Sequence, residues 1–291
     1  MIVQWYPGHM KKTKDLIVEN LKLIDVVVEI VDARVPMSSR NPEIDKLVKD
    51  KKRIIVLNKI DLASDSITER WIKYFNEKGI EVILVNSING KGINKIPVVA
   101  RNLMKEKIER DLARGRKNRP VKAMIVGIPN VGKSTFINKI VGKGSAKTGN
   151  KPGVTRGKQW IKLKNDLELL DTPGILWPKF EDMETGYKLA FIGSVKDDIL
   201  DIENLSCELI RYLRNIDENI LMKAYNLEHL EEENGAVIEQ VARSRGFVLK
   251  GDEPDYFRTA KMIIDEFRSI KLGKITLEIP EEFEEDESEE N

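Results

Sequence analysis

The chain has 291 residues, more than one average domain, with 41% hydrophobic and 33% charged residues and a formal net charge of +1. That size allows a sizeable core and a second, smaller unit, while the charge content and the lack of any long apolar run exclude a membrane-spanning protein. The single cysteine, Cys207, excludes an internal disulfide, and the N-terminus carries neither a secretory nor a transit pattern, so a cytoplasmic monomer is expected.

In chain order, the β-branched apolar runs at 26–31, 54–57 and 82–85 predict buried parallel strands. A helix is expected near Met10, and a helical stretch over 93–114 leads into a basic connector, 115–120. Residues 123–126 form the next strand, and alternation over 159–163 and 167–170 predicts an antiparallel hairpin at the sheet edge. The fold class is α/β, a doubly wound and mostly parallel sheet. After residue 178 the pattern turns helical, with helices at 184–195, 204–213 and 254–270. The expected division is therefore 1–178, a nucleotide domain, 179–280, a helical domain, and 281–291, an acidic disordered tail. In the last helix Phe257, Ala260, Ile264 and Phe267 read as core, and Arg258, Lys261 and Arg268 as an outward stripe.

Gly127-Ile128-Pro129-Asn130-Val131-Gly132-Lys133-Ser134 is a phosphate loop between a strand and a helix, whose backbone N–H groups and helix N-terminus, through Thr135, are suited to phosphate oxygens. Lys133 reaches the β- and γ-phosphates in such a loop, and the Ser134 hydroxyl ligates Mg²⁺. Asp171 holds Mg²⁺ through water, Gly174 senses the γ-phosphate and Thr155 is the switch residue over the metal. Asn58-Lys59-Ile60-Asp61 reads guanine: the Asp61 carboxylate accepts from two guanine donors that adenine does not present together, so GTP and GDP are the expected nucleotides. Lys59 covers the base, Asn58 ties the two loops together, and Ser87 and Ile88 offer a backbone N–H to the guanine oxygen. Asp32 and Arg34 are expected to brace the loop after the first strand. The guanine motif precedes the phosphate loop, the reverse of ordinary G domains, so the domain is circularly permuted.

Between 101 and 164 there are 18 Lys or Arg against three acids. Such a segment suits a polyanion larger than one nucleotide, and a solvated face is the alternative. Metabolic P-loop kinases are disfavoured by the sensor-type Asp61 and Gly174. A nucleotide-controlled protein-binding switch without RNA contact stays open.

With Trp5-Tyr6-Pro7-Gly8-His9-Met10, Asp32-Ala33-Arg34-Val35-Pro36, Gly186-Tyr187-Lys188-Leu189-Ala190 and Phe267-Arg268-Ser269-Ile270-Lys271-Leu272-Gly273, the permuted chain resembles the YlqF/RbgA family of ribosome-assembly GTPases. The resemblance implies GTP-dependent action on the precursor of the large (50S) ribosomal subunit, with rRNA and ribosomal proteins as partners. Ile175 stands where Ras-like proteins place a water-orienting Gln. The family gives that role to the motif holding His9, which otherwise packs or caps a helix. Asn130 resembles the K⁺-coordinating Asn of cation-dependent GTPases, with a purely structural loop residue as the alternative.

Overall fold

The computed structural model describes residues 8–48, 50–142, 159–163, 166–172 and 182–283, with backbone only for 8–14 and 159. Helix α1 (Gly8–Leu21) seats Ile17 in the core and leads into strand β1 (Val26–Asp32), buried along its whole length. Helix α2 (Pro42–Val48), β2 (Lys52–Asn58), α3 (Asp65–Glu77) and β3 (Glu81–Val85) complete the first half. The helical stretch expected over 93–114 is divided into a 3₁₀ turn, α4 (Ile96–Leu103) and α5 (Lys105–Ala113), because Met104 turns its buried side chain into the core at the break. Then follow β4 (Val121–Val126), α6 (Lys133–Val141), β5 (Gln159–Leu163) and β6 (Leu167–Asp171).

The sheet runs β3-β2-β1-β4-β6-β5, parallel except for the antiparallel β5–β6 pair at its edge. The permuted halves meet where β1 pairs with β4, from Val26 opposite Ala123 to Glu29 opposite Val126. Asp25 staples this seam: it accepts from Lys122 N at 3.0 Å, from both Arg119 nitrogens at 2.7 and 2.8 Å, and from Lys107 at 2.9 Å. Burial raises its carboxyl, but Arg119 and Lys107 outweigh that and hold it near about 2. One face of the sheet, with Ile55 and Leu57, packs on Trp71, Tyr74 and Phe75 of α3; the other, with Ile54 and Val56, joins a cluster including Ile96, Phe136 and Ile137.

That second cluster continues into the C-terminal helices without a break. Helix α7 (Met183–Phe191) stops short of the expected Val195 because Gly193, at φ +76°, closes it: Gly193 N donates to Ala190 O, and Ser194 N to Leu189 O. Asp201 caps α8 (Ile202–Ile216), and α9 (Asn219–Tyr225) and α10 (Asn234–Ser244) follow. Asp255 then caps α11 (Tyr256–Arg268), which lies against α8 and α10. The buried stripe of α11 is Thr259, Ala260, Ile263, Ile264 and Phe267. Phe257, expected in the core, is 58% exposed because it stands in the first turn on the flank of that stripe.

From residue 274 the chain returns across the nucleotide domain. Ile275 N donates to Leu62 O, Ser64 N to the Thr276 hydroxyl, and Leu277 N to Arg34 O. Glu278 is fully buried and accepts from Met37 N at 2.8 Å, from Ser38 N at 3.1 Å and from the Ser38 hydroxyl, with the Lys188 ammonium 3.6 Å away. The Trp71 indole N–H donates to Glu278 O at 3.0 Å. The acidic tail, expected to be disordered from 281, is ordered through Phe283: this ring lies 5.7 Å from Trp71, and Glu281 pairs with Arg70. An aromatic shelf and one arginine outweigh the local acidity there. Residues 284–291 lie outside the described part of the chain.

Removing the Glu278 carboxylate strands two backbone N–H groups and a nearly buried ammonium. Glu278→Ala should therefore cost about 3 kcal/mol or more of unfolding free energy. The shift of the urea midpoint measures it, and an unchanged midpoint would show that the returning segment does not anchor the two units.

Candidate nucleotide site

At the carboxyl ends of β2, β3 and β4 lies an open cleft of about 610 Å³, lined by Asn58, Lys59, Asp61, Ser87, Asn130 and Lys133 among others. Such a position, outside the strand ends of an open α/β sheet, is where this architecture binds ligands. Asn58 is the buried hub. Its amide N–H₂ donates to Val131 O at 2.8 Å, and its oxygen accepts from Ser87 N at 3.1 Å and from the Ser87 hydroxyl at 2.8 Å.

The glycines of the phosphate loop answer to this crowding. Gly132 has φ +94°, and a Cβ there would sit 2.3 Å from the Asn58 amide nitrogen. Gly127 would press a Cβ within 2.6 Å of Ile30 O. A side chain at 132 would push the two loops apart, and one at 127 would push the phosphate loop off β1. Gly132 opens α6, so the N–H groups of Lys133, Ser134 and Thr135 lie in the first turn, where no helical acceptor precedes them. Ser134 and Thr135 are exposed and line the cleft.

Lys133 is buried, its ammonium donating to Thr172 O, and the Thr172 hydroxyl donates to Ile125 O at 2.6 Å. Burial draws the Lys133 ammonium down to about 8, against the opposing charge of Asp171. Asp171, the last residue of β6, is likewise buried beside it.

Around the base-reading loop, Lys59 donates to Asn130 O at 2.7 Å and pairs with Asp32 at 2.9 Å. Arg34 grips the same carboxylate through two nitrogens, at 2.9 and 2.8 Å. Burial alone would raise the Asp32 carboxyl; the Arg34 and Lys59 charges outweigh it and hold it well below the usual carboxylate range. Asp32 thus aims Lys59 across the cleft. Asp61 is half-buried, and Ile88 is 76% exposed at the mouth, its carbonyl accepting from Lys139 at 3.0 Å. His9 falls in the first turn of α1, with its side chain outside the described part of the chain. Thr155 and Gly174 also lie outside it, as does Ile175.

The sequence pattern did not foresee how the helical unit reaches the site. The Asn130 amide donates to Gly193 O at 2.5 Å, and the Ser194 hydroxyl to Pro129 O at 2.9 Å. Gly193 as a helix stop was the available signal. Asn86 was also missed: its side-chain oxygen accepts from Ile88 N and Asn89 N in an Asx turn that shapes the loop after β3, a pattern readable in Asn86-Ser87-Ile88-Asn89-Gly90. Arg268, expected to face outward, instead donates to Ala190 O and Phe191 O and pairs with Asp197, because the carbonyls of the last turn of α7 lie within its reach. Arg258 stays on the surface, its guanidinium 3.9 Å from the centre of the Phe247 ring. The basic segment is also less free than its composition implied. Asp25 takes Lys107 and Arg119, Asp166 takes Arg101, Asp111 takes Arg116 and Glu168 takes Lys162.

A model of the RsgA GTPase family matches residues 10–181, and one described as a 50S ribosome-binding GTPase matches residues 122–241. The chain is 47% identical over 283 residues to Ribosome biogenesis GTPase A of Bacillus cereus, covering 97% of this chain and 96% of that protein. It is 33% identical over 284 residues to the Thermotoga maritima protein of the same name, covering 96% and 95%. The GDP-bound structure of YlqF from T. maritima superposes with a TM-score of 0.65 at 29% identity, over 93% of this chain and 99% of that one.

The chain belongs to the YlqF/RbgA family. It is a circularly permuted P-loop GTPase that binds guanine nucleotide and hydrolyses GTP to GDP and phosphate. No helix among the described residues of this YlqF/RbgA protein is long and apolar enough to cross a membrane.

The burial of Lys133 sets a pH dependence. Phosphate oxygens favour the ammonium form, so a lysine that loses its proton near about 8 when free must take one up on binding above that pH. GDP affinity should fall as pH rises past about 8, by up to about tenfold per unit. Calorimetric titration between about pH 7 and 9.5 checks it; a flat profile would mean that the free protein already keeps Lys133 charged.

Proposed function

We propose that this GTPase acts in late assembly of the large (50S) ribosomal subunit, engaging precursor rRNA and ribosomal proteins in its GTP state and leaving on hydrolysis. It works as a cytoplasmic monomer. The full-length likeness to proteins named for ribosome biogenesis supports the setting. The observation that carries the mechanism is the direct bonding of the phosphate loop to the helical unit, Asn130 to Gly193 and Ser194 to Pro129, which lets the state of the nucleotide be felt outside the GTPase domain. The RNA-facing cations are the exposed Arg110, Arg114 and Lys117 of the connector region, with Arg258 and Lys261 of α11.

Within the cleft Asp61 accepts from guanine, Lys59 covers the base, and the N–H groups of Ser87 and Ile88 meet its oxygen. Backbone N–H groups from Asn130, Val131 and Gly132 through Thr135 cradle the phosphates, and the Lys133 ammonium leaves Thr172 O for them. The Ser134 hydroxyl and the Asp171 carboxylate are hard oxygen donors of the kind Mg²⁺ takes, and Thr155 completes that set. A Mg²⁺ held by those oxygens would supply positive charge to offset that of the nucleotide phosphates. Gly174 N–H senses the γ-phosphate. His9 orients the attacking water on the precursor, since Ile175 has no group to do so. The Asn130 side-chain oxygen is the K⁺ candidate, its amide nitrogen remaining with Gly193.

Sedimentation of the full chain with precursor particles tests the role. Co-sedimentation is expected with a non-hydrolysable GTP analogue and not with GDP, and it should weaken steeply with salt as phosphate contacts are lost. GTP-dependent binding that is indifferent to salt would instead favour a protein-binding switch without RNA contact.

Turnover on the precursor tests the two catalytic assignments. His9→Ala should lower stimulated hydrolysis by about 10²–10⁴-fold with nucleotide affinity intact, and Asn130→Ala should abolish a preference for K⁺ over Na⁺. Unchanged turnover in the first variant returns His9 to a structural role, and equal rates in the two salts leave Asn130 as a domain contact alone.

A further inference from the structure

Among the described residues, Arg268 and Ser269, at the end of α11 in the helical unit, line the nucleotide cleft together with the base-reading and phosphate loops. Their place along the cleft follows from what is tied on either side of them. Arg268 is fastened to Ala190 O and Phe191 O, three and two residues before the Gly193 carbonyl that holds Asn130 of the phosphate loop. The Arg268 guanidinium lies over Gly193, so close that a Cβ there would stand 3.5 Å from it. At the other end, Ile275, six residues beyond Ser269, donates to Leu62 O, next to Asp61. The segment from Arg268 to Ile275 therefore spans from the phosphate loop to the base loop. In any nucleoside phosphate the group lying between base and phosphates is the sugar.

We propose that Arg268 and Ser269 form the ribose wall of the guanine-nucleotide cleft, so that bound nucleotide itself presses the helical unit against the GTPase domain. The inference rests on the guanine-nucleotide reading of the cleft. Its chemistry is specific. The Ser269 hydroxyl donates to Asp265 O at 2.7 Å, which leaves its oxygen as an acceptor for a ribose hydroxyl. The Arg268 guanidinium is occupied by two carbonyls and by Asp197 at 2.8 and 2.9 Å, so this side chain offers its hydrocarbon stem to the sugar and not a charge to the phosphates. Asp197, held low by its bonds to Arg268, keeps that fork in place. A nucleotide seated here contacts the helix end whose partner carbonyls lead to Gly193, so its occupancy and the Asn130 bond report on the same domain arrangement.

Hydrogen exchange on the full chain, with and without GDP, reads the contact directly. Protection is expected at 268–273 as well as at 58–61, 86–88 and 129–135. Ser269→Tyr, which fills the wall from an exposed position, should weaken GDP binding about tenfold or more at an unchanged melting temperature. The unsubstituted chain should prefer GDP to its 2′- or 3′-deoxy analogue, a preference that Ser269→Ala removes. Protection confined to the three GTPase-domain loops, with Ser269→Tyr at full affinity and no sugar preference to lose, would overturn the proposal while leaving the nucleotide site standing. Failure of the site reading itself has a separate signature: Asp61→Asn would then not exchange GDP for xanthosine diphosphate, and the three loops would show no protection.

Discussion

One buried amide, Asn58, holds the nucleotide site together. Its three bonds join the end of β2, the phosphate loop after β4 and the loop after β3. In a circularly permuted chain these loops are separated along the sequence in an unfamiliar order, yet the parallel register of β1 with β2 and β4 returns them to one edge of the sheet. The requirement for glycine at 132 follows from the same amide. A Cβ there would meet Asn58 at 2.3 Å, so the loop that cradles phosphate is shaped by the residue that opens the base-reading motif. Neither loop can be re-formed without the other.

Outward from this hub the contacts with the helical unit fall into two energetic kinds. The Asn130 amide to Gly193 O is a solvent-facing hydrogen bond, of a type that contributes about 0.5–1.5 kcal/mol net. Glu278 is different in kind: its carboxylate is fully buried, with two backbone N–H groups, one hydroxyl and one ammonium around it, so that opening it exposes several unsatisfied groups at once. Burial pushes that carboxyl up, while Lys188 and the donors from Ser38 and Met37 oppose the push. The returning segment is thus the stronger of the two attachments, and the phosphate-loop contact the weaker.

The sheet was legible in the sequence because buried parallel strands leave unbroken β-branched runs, and each of the expected strands lies within one or two residues of its place. The loops of the site were legible because phosphate and guanine demand particular donors at fixed spacing. What the sequence concealed was long-range. Arg268 stands one turn from residues that do face solvent, so periodicity alone assigned it outward; the carbonyls of the last turn of α7 drew it inward. Glu278 and Phe283 sit in an acidic stretch whose composition argues for disorder, and their docking depends on Trp71 and Ser38, more than 200 residues earlier. Local charge patterning carries no information about such partners. The same holds for the basic segment 101–164, where Asp25, outside it, neutralises Lys107 and Arg119 at the seam of the permuted halves.

Permutation gives this division of labour its use. Because β6 ends at Asp171 and α7 begins at Met183, the chain passes from beside the buried Lys133 to the helical unit within twelve residues. The Asn130–Gly193 bond lies at the phosphate loop, while the Glu278 anchor and the Leu62–Ile275 bond lie on the base side, where GTP and GDP are identical. A hydrogen bond of about 1 kcal/mol is worth several-fold in an equilibrium, so the Asn130–Gly193 contact is of the same size as a single hydrogen bond made to a phosphate oxygen.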